Sequence, residues 1–249
     1  MRILIAVLAA GFCTACTTTE TVQFKAQADQ QSIIRDGQAA LVSRKKKSVV
    51  IARPASRQFQ IGGRPVFVLA INNLTKTPEN FLVSNVQVTQ VVRDEAVPLK
   101  VITYEMLVQE EKTRQVFAAV ATGLSAGANA YSASRAGYYN ANSTVYTPRG
   151  AYQVHTTGYS PTAAAIAQSN ASAQNAEMIN ATIERGQQNL AMLEQGVIKD
   201  NTLMPGEWYG GQLHIAPLAS DEGPAKNYTI AVVVGGERHE INVAQGTVQ

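Results

Sequence analysis

The chain has 249 residues, of which 45% are hydrophobic and 16% charged, and its formal net charge is +3. This composition is typical of a globular protein with one or two domains and excludes a disordered chain. The small net charge gives no broad basic surface for nucleic acid. The one basic run, residues 44–47, is predicted to be a solvated loop.

Residues 1–19, MRILIAVLAAGFCTACTTT, have the layout of a secretory signal. Arg2 supplies a basic start, and the apolar run from Ile3 to Phe12 is too short to span a bilayer. Both cysteines of the chain, Cys13 and Cys16, follow this run. A disulfide between cysteines three residues apart beside an export signal is not expected.

This N-terminal segment, with a cysteine after small residues, resembles the signal peptides of bacterial lipoproteins. In those proteins the cysteine is diacylated and becomes the first residue of the mature chain. Thr14 and Ala15 precede Cys16, and the third residue before it is Cys13, where the family usually has an aliphatic residue. The resemblance implies removal of residues 1–15 and attachment of acyl chains such as palmitate to Cys16. The alternative is an ordinary signal peptide that is cut after Ala15 or nearby.

Acyl chains on Cys16 would anchor the protein without a membrane-spanning helix, because each buried methylene contributes about 0.8 kcal/mol. In the lipoproteins that this signal resembles, Asp after the cysteine often marks retention in the inner membrane. Thr17 therefore implies the outer membrane, with the protein facing the periplasm. Residues 16–47 are mostly polar, and we predict that they form a tether between the bilayer and the folded part.

From Ser48 onward, short runs rich in Val, Ile and Phe are separated by Pro and Gly, which predicts strands. The same texture returns after residue 200, where Gly235-Gly236 between two alternating runs predicts a hairpin. About seven strands with no helix between the first five indicate an antiparallel sandwich formed by residues 48–104 and 200–249.

Two turn motifs resemble those of small bacterial immunoglobulin-like lipoprotein domains. The first is the strand from Val68 to Asn72, and the second is Thr202-Leu203-Met204-Pro205-Gly206 with Gly210 and Pro217. The resemblance covers about half of the chain and implies an immunoglobulin-like sandwich. Its motifs are turn chemistry, so they carry no implication of an active site.

Residues 105–199 have helical periodicity, so we predict an α+β fold in which a long antiparallel helical hairpin interrupts the sandwich. The expected seam of the first arm is Phe117, Val120, Leu124, Gly127, Tyr131 and Ser134. The expected seam of the second arm is Ala165, Ser169, Ser172, Ala176, Ile179, Ile183, Gly186, Leu190, Leu193 and Val197. Ser160 and Pro161 indicate the start of the second helix. The tip, residues 138–160, is either a small hairpin around a turn at residues 147–150 or disordered.

The outer half of this helical hairpin lacks charge. No Asp, Glu, Lys or Arg occurs in residues 115–134 or 150–176. Because the outer faces of a two-helix hairpin normally carry charges, we predict an association surface there, for a second copy or another envelope protein. The candidate partner-binding residues are Gly123, Gly127, Tyr131, Tyr146 and Tyr152. An alternative is insertion of the hairpin into a membrane, which the small-xxx-small pair Gly123 and Gly127 suggests.

Ser125 lies in a G-x-S-x-G match, the pattern of a hydrolase nucleophile. A nucleophile elbow needs a strand before the serine and a sharp turn at it, whereas one helical pattern runs through this stretch. A base would have to be His155, His214 or His239. We therefore predict a non-enzymatic role, with an envelope serine hydrolase as the alternative. The histidines have no metal-ligand spacing, so no metal or cofactor is expected.

Overall fold

The fold is known from a computed structural model, which describes residues 19–35, 37–60, 62–92, 95–216 and 225–247. The chain divides into a helical unit, Tyr104–Gly196, and a β unit that runs up to Thr103 and resumes at Val197. Antiparallel sheets and two helices confirm the α+β class. The predicted signal peptide, Cys16 and Pro217 lie outside the described residues.

The β unit is built from two six-stranded sheets and one smaller pair of strands. Its strands are β1 (Thr19–Lys25), β2 (Gln30–Arg35), β3 (Gln38–Arg44), β4 (Ser48–Pro54), β5 (Phe59–Gln60), β6 (Val66–Asn73), β7 (Glu79–Phe81), β8 (Val86–Val92), β9 (Glu95–Leu99), β10 (Val101–Ile102), β13 (Asn201–Leu203), β14 (Trp208–Ile215), β15 (Ala225–Val234) and β16 (Glu237–Thr247). The first sheet has the order β5-β1-β16-β15-β8-β9, the second β10-β14-β6-β4-β3-β2, and β13 pairs with β7. The ladders between these strands are antiparallel.

One buried cluster draws apolar side chains from both large sheets, so the core of the β unit lies between them. Phe67 and Ile71 on β6 contribute from one sheet, and Ile230 on β15 and Ile241 on β16 contribute from the other. In each case alternate residues along the strand point into the cluster, which is the period of two that a strand imposes.

The predicted tether is wrong for residues 19–25, 30–35 and 38–44, which form β1, β2 and β3. β1 pairs with β16, and its Val22 and Phe24 pack against the core. Its buried Glu20 accepts hydrogen bonds from Gln245 Nε2 (2.5 Å) and Lys226 Nζ (3.2 Å). Charged and amide residues in this segment therefore serve folded structure, because they are paired with partners distant in sequence.

The two turn motifs of the sequence lie against each other. Asn72 Nδ2 donates to the carbonyl oxygens of Gly206 and Glu207, both at 3.0 Å, and the Gly206 N–H donates to the Asn73 carbonyl at 2.7 Å. Gly206 has φ +78°, which favours glycine. A Cβ at Gly210 would overlap the backbone of Leu69 on the neighbouring strand, so glycine permits that close approach.

The hairpin predicted at Gly235-Gly236 is confirmed as the turn between β15 and β16. Both glycines have positive φ, +57° and +77°, as a two-residue turn of this kind requires. Glu237, directly after the turn, accepts hydrogen bonds from the backbone N–H groups of Lys46 (3.1 Å) and Lys47 (2.9 Å). The basic run is thus a turn held by a carboxylate.

The helical unit consists of α1 (Tyr104–Arg135), the strands β11 (Tyr138–Thr147) and β12 (Gly150–Tyr159), and α2 (Pro161–Gly196). At about 1.5 Å per residue, helices of 32 and 36 residues are about 48 and 54 Å long. The Ser160 hydroxyl accepts a hydrogen bond from the Ala163 N–H at 3.3 Å, which confirms the predicted start of α2. The tip is a β-hairpin, one of the two predicted possibilities.

Candidate association surface

The side chains between α1 and α2 are mostly small or polar. Those buried or half-buried on α1 include Gln115, Ala118, Thr122, Ala126, Asn129 and Ala133, and those on α2 include Ala171, Asn175, Met178, Thr182, Gly186 and Asn189. These positions follow a spacing of three and four residues along each helix, as expected for two helices packed in a heptad register. The inner seam, as we call this set, is therefore a coiled-coil seam in which amide and hydroxyl side chains are interleaved with alanine, glycine and methionine.

Hydrogen bonds cross the inner seam at intervals of about two helical turns. Gln115 Nε2 donates to the Gly186 carbonyl at 3.0 Å, and the hydroxyl oxygens of Thr122 and Thr182 lie 3.0 Å apart. Further along, Asn129 and Asn175 join through their amides at 3.0 Å. Because ascending positions on α1 meet descending positions on α2, the helices are antiparallel.

Glu111 provides the charged end of the inner seam. Its buried carboxylate accepts two bonds from Arg114 (both 2.8 Å) and one each from Gln115 (3.1 Å) and Asn189 (3.2 Å). The hydrogen bond from Arg114 is the main cause of a lowered pKa for this carboxyl, and it outweighs the opposing effect of burial. The helices are thus held together here by an ionised, fully partnered group.

The apolar seam predicted for α1 faces away from α2. Phe117, Val120, Leu124 and Tyr131 have 71%, 58%, 73% and 64% of their surface exposed. The prediction that these side chains pack inside the hairpin is therefore wrong. They occupy the side of α1 opposite the inner seam, at heptad spacing, and together with Gly127 we call them the outer stripe.

The seam predicted for α2 is partly correct. Gly186, Leu190 and Leu193 are buried or half-buried in the helical unit, whereas Ile179 and Ile183 are exposed. The small residues predicted nearer the start of α2, Ala165, Ser169, Ser172 and Ala176, are exposed as well. Val197 follows the end of α2 and belongs to the β unit.

The close approach of the helices depends on different glycines from those predicted. A Cβ at Gly123 or Gly127 would meet nothing within 4 Å, so these glycines do not permit helix contact inside the hairpin. A Cβ at Gly186 would lie 2.8 Å from Gln115 Cδ, so the absence of a side chain there lets α1 and α2 approach. As partner-binding residues, Gly123, Gly127 and Tyr131 remain a prediction, since all three are exposed.

The β11–β12 hairpin exposes almost all of its side chains. In its register Tyr138 faces Tyr159, and Val145 faces Tyr152. Tyr146 and Tyr152, both predicted to bind a partner, are 82% and 54% exposed. The aromatic side chains of the tip are therefore placed on the surface of the helical unit, where a partner could contact them.

Ser125 does not sit in a nucleophile elbow. It lies in the middle of α1, and its hydroxyl donates to the Ala121 carbonyl at 3.0 Å, as serines inside helices commonly do. His155 is on β12, where it hydrogen-bonds Asn142, and His214 and His239 belong to the β unit. The strand and sharp turn that would present this serine are missing from its flanks.

His239 is fully buried in the β unit between two serines. Its Nε2 lies 2.8 Å from Ser48 Oγ and its Nδ1 2.9 Å from Ser43 Oγ. Burial, followed by the charge of Lys45, lowers the pKa of the imidazole and favours its neutral form. With both ring nitrogens engaged and no exposed surface, this histidine has the geometry of a structural group.

Metal-binding clusters and helices apolar enough to cross a membrane are both absent from the described residues. Among those residues, no cluster of three or more His, Cys, Asp or Glu side chains could hold a metal ion. Within the same ranges, neither helix reaches the hydropathy over the length that crossing a membrane requires.

Sequence reasoning missed the inner seam itself. The signal was present as polar residues repeated every seven positions, Gln115, Thr122 and Asn129 on one arm and Asn175, Thr182 and Asn189 on the other. A search for apolar heptads passes over this repeat, because it assigns every apolar stripe to the interior.

Comparison with protein-family models, with curated proteins and with solved structures finds no match to this chain.

Proposed function

We propose that this protein is a non-enzymatic, lipid-anchored protein of the bacterial envelope whose helical unit is an association surface. The observation that carries the proposal is the exposed apolar stripe of α1. The inner seam is crossed by hydrogen bonds from amide and hydroxyl groups, whereas Phe117, Val120 and Leu124 are exposed. Apolar side chains at heptad spacing gain free energy only when another surface covers them, at about 25 cal/mol per Å².

The anchor in this proposal is Cys16, acylated at the outer membrane on the periplasmic side. Support comes from the lipoprotein-like signal and from the position of β1, which begins at Thr19. Three residues span at most about 10 Å, so an acylated Cys16 would hold the start of this sheet close to the headgroups. The β unit would then be a platform placed directly at the bilayer.

We further propose that the β unit belongs to the immunoglobulin-like class. Its antiparallel sheets share one core, and the two motifs that carry the resemblance are joined by the bonds from Asn72 and Asn73 to the turn at Gly206. Such sandwiches serve many unrelated functions, so the class supports the platform role without specifying a ligand.

The association surface can be tested in intact cells with a photoreactive amino acid at Leu124. We expect crosslinked products that the same substitution at Glu184, an exposed residue on α2, does not give. The crosslinked band, analysed by mass spectrometry, identifies the partner. Equal labelling from both positions, or none from either, would contradict the proposal.

The anchor has a separate test. Metabolic labelling with palmitate should mark the wild-type protein and the Cys13→Ser variant, and Cys16→Ser should lose the label and leave the membrane fraction. A Cys16→Ser protein that still carries the label would overturn the proposed lipidation.

A further inference from the structure

We propose that the partner is a second copy of this chain, joined through the free edges of β11 and β12. This inference rests on the proposed function, because it names the occupant of the association surface. In the joined state, β11 of one copy pairs with β12 of the next, and the two hairpins form one continuous antiparallel sheet.

The first support is the state of the strand edges. Within the described residues, β11 and β12 pair only with each other, in a two-stranded sheet with ten residues in each strand. A two-stranded hairpin of this kind is marginally stable in water, and each outer edge presents unpaired N–H and C=O groups. Neither strand contains a charged residue or a proline, the usual devices that protect an edge.

The second support is the uncharged composition of both faces of the hairpin. One face carries Tyr139, Val145, Tyr152 and Val154 together with Ser143, Thr147 and Thr156, and the other carries Tyr138, Tyr146 and Tyr159 together with Asn140, Asn142, Thr144, Gln153 and His155. Paired residues in a sheet point to the same face. A second copy can therefore extend each face of the sheet. This requires that even-numbered residues of β11 pair with odd-numbered residues of β12 of the other copy, as they do within one hairpin.

The third support is electrostatic. Between Gln115 and Ala176 the only charged residues are Arg135 and Arg149, and both lie outside β11 and β12. Copies of one chain bring charges of the same sign together, so a surface that joins copies is most stable where charge is low. The outer stripe of α1, in the same unit, is uncharged and at heptad spacing, and offers a second surface that a neighbouring copy can cover.

Disulfide crosslinking of the full-length protein in cells tests the pairing. Two differently tagged copies are co-expressed, one with Thr144→Cys and the other with Gln153→Cys, and the second position is also moved to Ala151 and His155 to allow a shift of two residues. We expect a disulfide-linked species that contains both tags for at least one pair. The matched control replaces Thr144→Cys by Glu184→Cys on α2 and should give none.

Proline at one strand edge provides the second variant. Thr147 and Gly150 face each other across the two-residue turn, and hydrogen-bonded and non-hydrogen-bonded pairs alternate from there, so the Thr144 N–H should point away from β12. Thr144→Pro should lower the yield of oligomers, trapped by a chemical crosslinker, by about tenfold or more while the circular dichroism stays unchanged. Thr144→Val keeps the N–H and should keep the oligomers.

The outcomes separate this inference from the proposed function. If no cysteine pair crosslinks and Leu124 captures a different protein, the self-pairing is wrong and the association surface stands. If Leu124 captures nothing as well, both are wrong. A Thr144→Pro protein that keeps its crosslinked oligomers would overturn the edge-to-edge arrangement even if the copies associate.

Discussion

The β unit and the helical unit are held together by different kinds of contact in their interiors. In the β unit, Phe67, Ile71 and Ile230 are buried, and the buried polar groups such as Glu20 are paired. In the helical unit, amides and hydroxyls meet between the helices, and Phe117 and Leu124 face outward. The comparison teaches that apolar residues at helical spacing identify a stripe that another surface will bury. The spacing does not say whether that surface belongs to the same chain or to a partner.

The same substitution in the two units should have very different effects. Phe67→Ala removes a fully buried ring from the core and should lower the free energy of unfolding by about 3–5 kcal/mol. Phe117→Ala removes a ring that is 71% exposed and should change it by less than about 0.5 kcal/mol. Denaturant unfolding of the lipid-free chain measures both. A large effect at Phe117 would mean that the outer stripe packs within the chain.

Glycine-to-alanine substitutions sharpen the comparison at the level of the backbone. Gly210→Ala would place a Cβ against the Leu69 carbonyl on the next strand and should destabilise the β unit by about 1–3 kcal/mol. Gly127→Ala points into open space on a helix and should stabilise α1 by about 1 kcal/mol through helix propensity. The midpoint of thermal unfolding should fall in Gly210→Ala and rise in Gly127→Ala. A lower midpoint in Gly127→Ala would mean that this glycine permits a close helix contact, as first predicted.

The polar inner seam predicts coupling between residues on the two helices. Asn175→Ala removes bonds to Asn129 and to the Ala126 carbonyl and should cost about 1–2 kcal/mol. Asn129→Ala combined with Asn175→Ala should cost less than the sum of the single changes, because the second change removes a group already left without its partner. Strict additivity in this double-mutant cycle would contradict the hydrogen bond.

The two units should also respond to acid at different pH. His239 has a pKa lowered from 6.5, so its neutral form stabilises the β unit fully above that pH, and this contribution decreases as the pH falls below about 6.5. Glu111 has a pKa lowered from 4.5, so its contribution is present above that value and is lost only as the pH falls through the lower folded-state pKa.

Unfolding measured between pH 7 and pH 3 separates these contributions. His239→Gln should flatten the loss of stability that begins below about pH 6.5, and Glu111→Gln should flatten the loss below about pH 4.5. No change of the pH profile in His239→Gln would contradict a lowered pKa for the buried imidazole.

Features that depend on local chemistry could be predicted from the sequence. The turn at Gly235-Gly236 was predictable because a backbone with positive φ favours glycine. The start of α2 at Ser160 and Pro161 was predictable because a helix N-terminus favours a side chain that accepts a backbone hydrogen bond. The helix pair was predictable from its period, with ends close to those observed.

Features that depend on distant partners could not be predicted in this way. The sequence of β1 looks polar because Glu20 and Gln23 interrupt its apolar residues. Glu20 can be buried only because Lys226 and Gln245, more than two hundred positions away, hydrogen-bond its carboxylate. The prediction that the outer stripe faces α2 was wrong for a related reason. A heptad of apolar residues is equally consistent with a partner helix in the same chain and with one in another chain.

The pairing of β1 with β16 sets an order for events during synthesis. Glu20 faces Thr247 in the sheet, so the first described strand has no neighbour at this edge until more than two hundred further residues have been made. The helical unit, by contrast, is contiguous from Tyr104 to Gly196 and forms its contacts between residues nearer in sequence. We expect the helices to reach their native contacts first, and a nascent chain stalled before β16 to expose β1 to proteases.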